Sequence, residues 1–243
     1  MFFIKKKLGL IQTRGLGDIH IAIPIAFFYY KKNWEIYWPI LNKWVQQMEH
    51  YFPWINWIPV NEEKEFFYEI PKTKLREIKV DKIIPLYSFL ASNPEFSDVP
   101  YYKFTSFDQF KYIKAEVPFN YKWKLSECFK RDENRENDIY KKFVKKKNYI
   151  VTHLNASDHI ANFDHSVLPI DHQIIPITAE GYVLDWLKTI ENAKIIIMTN
   201  SVMSNIVDQL SIGIKKYYLP RGNIWFSPVL NDHWTFLKDQ NFN

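Results

Sequence analysis

The sequence predicts an α/β protein built from two Rossmann-like parallel-sheet halves. Three observations predict it. Short apolar runs alternate with helical patterns, as a parallel sheet covered by helices requires. A strongly charged stretch, residues 126–147, separates two such alternations. Each half contains a strand that passes through a short polar turn straight into an apolar helix.

Residues 8–13 (LGLIQT) read as a buried strand. Arg14-Gly15-Leu16-Gly17-Asp18 follows, with Asp18 expected to cap a helix over 19–30. Pro24 inside that helix predicts a kink or a late start. Residues 35–38 read as a second strand, 41–51 as a helix, 55–60 as a third strand and 82–86 as a fourth. Residues 88–125 hold Pro94, Pro100 and Pro118 and read as loops around one short helix near 107–115.

The second alternation starts with a strand at 149–154 (YIVTHL), then another at 173–177. Residues 179–192 place Val183, Leu184, Leu187 and Ile190 on one face of an amphipathic helix, with Thr178 as cap. A buried strand at 194–198 turns through Thr199-Asn200-Ser201 into a helix ending at Leu210, and 214–219 is the last strand. The expected organisation is thus a first domain at 1–125, a charged linker or helix at 126–147, and a second domain at 148–220. The tail, 221–243, is expected to pack back on the first domain. Two open sheets facing each other would form a cleft at the carboxyl ends of their strands.

Length and composition fit this division. The 243 residues suffice for one large domain or two small ones. A 47% hydrophobic and 24% charged content excludes a disordered, collagenous or low-complexity chain. The net charge of +5 suits an anionic small molecule, an anionic membrane surface or nucleic acid without choosing among them. The lone cysteine, Cys128, excludes an internal disulfide framework and a multi-cysteine metal site. No segment reaches the roughly 18–20 apolar residues that span a bilayer, and no signal peptide is recognisable. The expected location is cytoplasmic.

Three segments carry chemistry. In Arg14-Gly15-Leu16-Gly17-Asp18, two of only six glycines sit between a strand and a helix. Glycine lets backbone approach a ligand, and a helix N-terminus offers N–H groups and partial positive charge. His20 stands where a dinucleotide fingerprint needs its third glycine, and no Walker A lysine is present. Asp18 is the candidate general base, the alternative being a tight turn with an acidic cap.

Asn200, Ser201 and Ser204 open the second helix with donors that suit a diphosphate, or else simply cap it. His153, Asn155 and Ser157, just past a strand end, are candidates for polar contacts to the same ligand. The pairs Asp158-His159, Asp164-His165 and Asp171-His172 match no standard metal-ligand spacing, and there is no Asp-x-Asp pair. No metal and no cofactor is therefore expected. Five tryptophans between Trp34 and Trp57 belong to the core or line a groove for a sugar or base.

The run Ile11-Gln12-Thr13-Arg14-Gly15-Leu16-Gly17-Asp18, with Ile23-Pro24-Ile25-Ala26 in the helix behind it, resembles the opening of the heptosyltransferase-like glycosyltransferases, glycosyltransferase family 9. The second half resembles the same family at His153, Asp185-Trp186-Leu187, Ala193-Lys194-Ile195-Ile196-Ile197 and Asn200-Ser201. The family's usual Asp-Ser is here Asn200-Ser201, and its small-residue, His-containing helix is here Met203-Ser204-Asn205-Ile206-Val207.

The resemblance implies a compact version of the GT-B fold. It implies inverting, metal-independent transfer of a sugar from a nucleotide sugar, the co-substrate, to a hydroxyl. Asp18 would take the acceptor proton, and the Arg14, Gly15 and Gly17 loop would hold acceptor or phosphate. His153, Asn155, Ser157, Asn200, Ser201 and Ser204 would hold the donor. A surface glycan or lipopolysaccharide acceptor would place the enzyme at the inner membrane surface. A hydroxylated DNA base as acceptor would place it in a virus-infected cell. A non-catalytic nucleotide-sugar binding module and a dinucleotide oxidoreductase are the other readings. Donor sugar, nucleotide and oligomeric state stay open at this point.

Overall fold

The structure is a computed structural model. It describes residues 5–62, 65, 67–87, 105–157, 159–164, 168–169, 171–221, 228–231 and 233–237. The chain divides into two compact units, Met1–Lys130 and Arg131–Asn243.

The first unit contains β1 (Lys7–Ile11), α1 (Leu16–Lys31), β2 (Glu35–Leu41), α2 (Asn42–Tyr51), β3 (Ile55–Val60), α3 (Glu69–Glu77), β4 (Lys82–Pro85) and α4 (Phe107–Lys114), then a 3-10 segment, Phe119–Glu127. Its four strands are all parallel, in the order β3-β2-β1-β4. The chain moves outward from β1 to β3 and returns to the other side of β1. The strand order therefore reverses between β1 and β4. That is where an open α/β sheet leaves a crevice at its carboxyl edge.

Helix α1 is buried from Ile19 to Phe27 because α4 and the 3-10 segment cover the face the sheet does not. That burial carries the helix through Pro24 without a late start: it begins at Leu16, and its N-cap is Gly15, not Asp18. Gly9 lets α3 pack close on β1, since a Cβ there would lie 2.7 Å from Leu75 Cδ1. Of the five tryptophans, Trp38 and Trp57 are buried and stack at 5.4 Å, while Trp34, Trp44 and Trp54 are half-buried. Cys128 is buried and donates to the Lys124 carbonyl at 3.2 Å, and burial pushes its thiol pKa up.

The second unit contains α5 (Glu133–Phe143), β5 (Tyr149–His153), β6 (Gln173–Pro176), a 3-10 turn (Val183–Trp186), α6 (Leu187–Glu191), β7 (Ile195–Thr199), α7 (Val202–Gln209), β8 (Lys215–Leu219) and β9 (Trp234–Phe236). Its strands are parallel in the order β6-β5-β7-β8-β9, with the reversal between β5 and β7.

Helix α5 lies within the segment expected as a charged linker or helix; it packs on α6 and the 3-10 turn, and Arg131 ties Glu136 to Glu191. One helix expectation is corrected. The helix expected over 179–192 starts late because Gly181 has φ +69, outside the helical region. Tyr182 N then donates to Asp185 Oδ2 at 2.7 Å and opens a 3-10 turn, while Thr178 Oγ1 accepts from Glu180 N instead of capping a helix. The tail residues Trp234–Phe236 form β9, which pairs with β8 at the edge of the second sheet. Asp208 Oδ1 on α7 accepts from Asn231 N at 2.7 Å and Trp234 Nε1 at 3.1 Å, which docks it there.

Candidate functional site

In the first unit the site is the turn after β1. Its backbone is held from several sides. Tyr87, just past β4, accepts from Thr13 N and Arg14 N, both at 2.9 Å, and its hydroxyl meets Thr13 Oγ1 at 2.8 Å. Trp38 Nε1 donates to the Gln12 carbonyl at 3.1 Å, and Leu41 N to that of Thr13 at 3.1 Å. Gly15 adopts φ +80, a left-handed conformation that glycine takes without strain. A Cβ there would lie 2.6 Å from Asp18 Oδ2, so the turn and the carboxylate are fitted to each other.

Asp18 occupies the third position of α1, where the helix dipole favours a negative charge. Its side chain is 37% exposed, and Oδ1 lies 2.9 Å from Lys111 Nζ. Gly17 lies in the same first turn, where backbone N–H groups have no intrahelical acceptor. Arg14 is exposed, its guanidinium 6.0 Å above the Phe67 ring.

Sequence reasoning missed Lys111. Its ammonium is buried and also donates to Gln12 Oε1 at 2.7 Å and to the Leu86 carbonyl at 3.0 Å. The only local signal is a lysine embedded between Phe110 and Tyr112 on the packed face of α4.

In the second unit the corresponding edge lies at the ends of β5 and β7. His153 Nδ1 is 2.9 Å from Ser201 Oγ. Burial lowers the His153 pKa to about 4, so the ring is uncharged at neutral pH. Ser204 is buried, and its hydroxyl accepts from Ser201 N and donates to the Ser201 carbonyl, both at 3.0 Å. Its hydroxyl is thus used in the first turn of α7. Asn200 is also buried, with its N–H on the Leu219 carbonyl at 3.3 Å.

A cavity of about 450 Å³ opens beside this edge, lined by Thr152, Leu154, Asn155, Ile160, Ile174 and Ile177 among others. Asn155 bridges to Ile160 across a short turn that holds Ser157 at its exposed tip, away from the cavity lining. Ile160 is 70% exposed.

Among the described residues no group of three or more His, Cys, Asp or Glu side chains is placed to hold a metal. Asp171 and His172 pair with each other at 2.8 Å, while Asp158 and His165 lie outside the described residues. No helix among the described residues is long and apolar enough to cross a membrane.

No family model matches the sequence, and no curated protein matches it. Solved structures do. A glycosyl transferase family 9 protein from Veillonella parvula superposes with a TM-score of 0.60 at 14% identity, over 98% of this chain and 88% of that one. The chain shares that protein's GT-B-like α/β fold. E. coli ADP-heptose lps heptosyltransferase II gives a TM-score of 0.53 at 11% identity, covering 97% and 93%. E. coli heptosyltransferase WaaC, solved with ADP, gives 0.51 at 9%, covering 96% and 93%. In this fold the Asp18 turn and the His153–Ser201 pair each occupy the strand-order reversal of their sheet.

Proposed function

We propose that the chain is a glycosyltransferase that moves a sugar from a nucleotide sugar to a hydroxyl on a surface glycan, inverting the anomeric centre without a metal. The observation that carries this reading is Asp18. It is a half-exposed carboxylate, held in register at the strand-order reversal of a sheet with this fold. Asp18 takes the proton of the acceptor hydroxyl. The acceptor oxygen bonds to the anomeric carbon, and the opposite bond to the diphosphate breaks, its electron pair leaving with the nucleoside diphosphate.

The second unit binds the donor. Backbone N–H groups at the start of α7 and the Ser201 hydroxyl meet the diphosphate. Neutral His153 fixes that hydroxyl. The apolar cavity beside Asn155 has the size and lining of a nucleobase or sugar pocket. Of the sequence-derived donor contacts, Ser201, His153 and Asn155 keep that role here, whereas Ser204 and Asn200 shape the turn.

The test is a thermal-shift panel of ADP, UDP and GDP with their sugars, followed by transfer assays on glycan and hydroxylated-DNA acceptors. A ligand that binds only the native state at about 100 times its Kd stabilises it by about 2.7 kcal/mol. One nucleoside diphosphate should stabilise the protein without added metal. Asp18→Asn should keep that stabilisation and lose about 10²–10⁴-fold in transfer. Wild-type turnover in Asp18→Asn, or no response to any nucleotide, overturns the reading.

A further inference from the structure

Lys111 is a charged group taken out of water in the middle of a helix face that otherwise packs Phe110 and Tyr112. A buried ammonium persists only where acceptors replace its hydration. Three acceptors converge on this one nitrogen: Asp18 Oδ1 at 2.9 Å, Gln12 Oε1 at 2.7 Å and the Leu86 carbonyl at 3.0 Å. An ammonium has three N–H bonds, so each has its own acceptor. The acceptors belong to three different pieces of backbone: the turn after β1, the first turn of α1, and the residue following β4. Gln12 extends the network, since its Nε2 donates to the Arg14 carbonyl at 2.7 Å.

The arrangement is directional. Lys111 engages Oδ1 of Asp18, while Oδ2 is the oxygen that lies against Gly15 at the turn. The carboxylate is 37% exposed while its partner is 2% exposed, so the pair has a dry side and a wet side.

We propose that Lys111 is the positioning residue for the Asp18 base, fixing Oδ1 so that Oδ2 meets the acceptor hydroxyl. This rests on the transferase reading above. The acceptor proton goes to Asp18 Oδ2. Misplacing a catalytic group by about 1 Å can cost on the order of 100-fold in rate. That is the loss expected when the ammonium is removed and the carboxylate is left to rotate.

The experiment compares the full-length wild type, Lys111→Met, Lys111→Gln, Asp18→Asn, Asp18→Glu and the Lys111→Met/Asp18→Asn double variant. The donor is the member of the ADP-, UDP- and GDP-sugar panel that turns over with wild type. Circular dichroism establishes which variants are folded. Lys111→Met or Lys111→Gln should lower kcat by about 10–100-fold while leaving the donor KM within about threefold. The double variant should be little worse than Asp18→Asn alone, because the lysine acts through the aspartate.

Asp18→Glu, which keeps the charge but moves it one methylene, should also lose most turnover. A crystal structure of whichever Lys111 variant folds should show the Asp18 carboxylate displaced by more than about 0.5 Å, the tolerance of a productive site. Full kcat in a Lys111 variant, losses that multiply in the double variant, wild-type turnover in Asp18→Glu, or an unmoved carboxylate would each overturn the role. Asp18→Asn inactive beside a fully active Lys111→Met sinks the positioning role alone. An active Asp18→Asn removes the base reading itself.

Discussion

His153 Nδ1 and Ser201 Oγ stand 2.9 Å apart, a side-chain bond that joins the end of β5 to the start of α7. It spans the place where the second sheet reverses its strand order. Burial keeps the imidazole uncharged near neutrality. The serine at the helix N-terminus is therefore held by a neutral partner, which neither attracts nor repels an anion by net charge.

That neutrality gives the protein an acid limit. His153 titrates near 4 in the folded chain against 6.5 ordinarily, and His20, fully buried, near 3. Below pH 6.5 the unfolded chain binds protons that the folded chain refuses. Stability is therefore full above pH 6.5 and falls as the pH drops toward 4. At pH 5 each histidine costs about 2 kcal/mol relative to neutral pH. Urea unfolding at pH 7.5 and pH 5 should show the loss, and His153→Gln should recover about half of it. An identical pH profile in His153→Gln would show that the ring charges freely in the native state.

Ser201 and Ser204 should separate binding from folding. Ser204→Ala removes a buried hydroxyl that closes the first turn of α7 and should cost about 1 kcal/mol, with affinity for the stabilising nucleotide nearly unchanged. Ser201→Ala removes the N-cap hydroxyl bonded to His153, should also cost about 1 kcal/mol, and should weaken that nucleotide about 3–10-fold. Calorimetric titration and melting curves on both variants measure this, and the reversed pattern would reassign the two hydroxyls.

Two glycines should respond oppositely to alanine. Gly15→Ala forces a Cβ into a left-handed residue and to within 2.6 Å of Asp18 Oδ2. It should cost about 1–3 kcal/mol and reduce turnover by displacing the carboxylate. Gly213 has open space around the added methyl, and alanine there should be neutral or add up to about 1 kcal/mol. Equal melting temperatures for the two variants would contradict the fitted turn.

Much of this architecture was legible from apolar runs and turns. The strand at Ile55–Val60 and the turn from β7 into α7 sit where periodicity and capping chemistry put them, whereas α1 starts at Leu16, three residues before the start that capping by Asp18 predicted. What escaped depends on contacts between distant segments. Helix α3 presents few apolar residues, and Leu75 finds its place only because Gly9 leaves room on β1. Strand β9 is three residues long and exists through Tyr218, Trp234 and Asp208. Gly181 broke a helix that the hydrophobic spacing alone supported. In the site, Asp18 was readable from its loop, whereas Lys111 and Tyr87 reach it through the fold and leave no local pattern. Ser204 matches a ligand-binding pattern, and the bonds its hydroxyl makes within the first turn of α7 were not legible from that pattern.

The buried, hydrogen-bonded thiol of Cys128 has a practical use. It is the chain's one cysteine, and a raised pKa leaves it almost no thiolate to react with alkylating dyes. A cysteine introduced at Ile160, exposed at the cavity lining, would carry a fluorophore in a single place without removing any native residue elsewhere. The wild-type background would thus serve directly as an optical sensor scaffold, reporting in real time whatever enters that cavity.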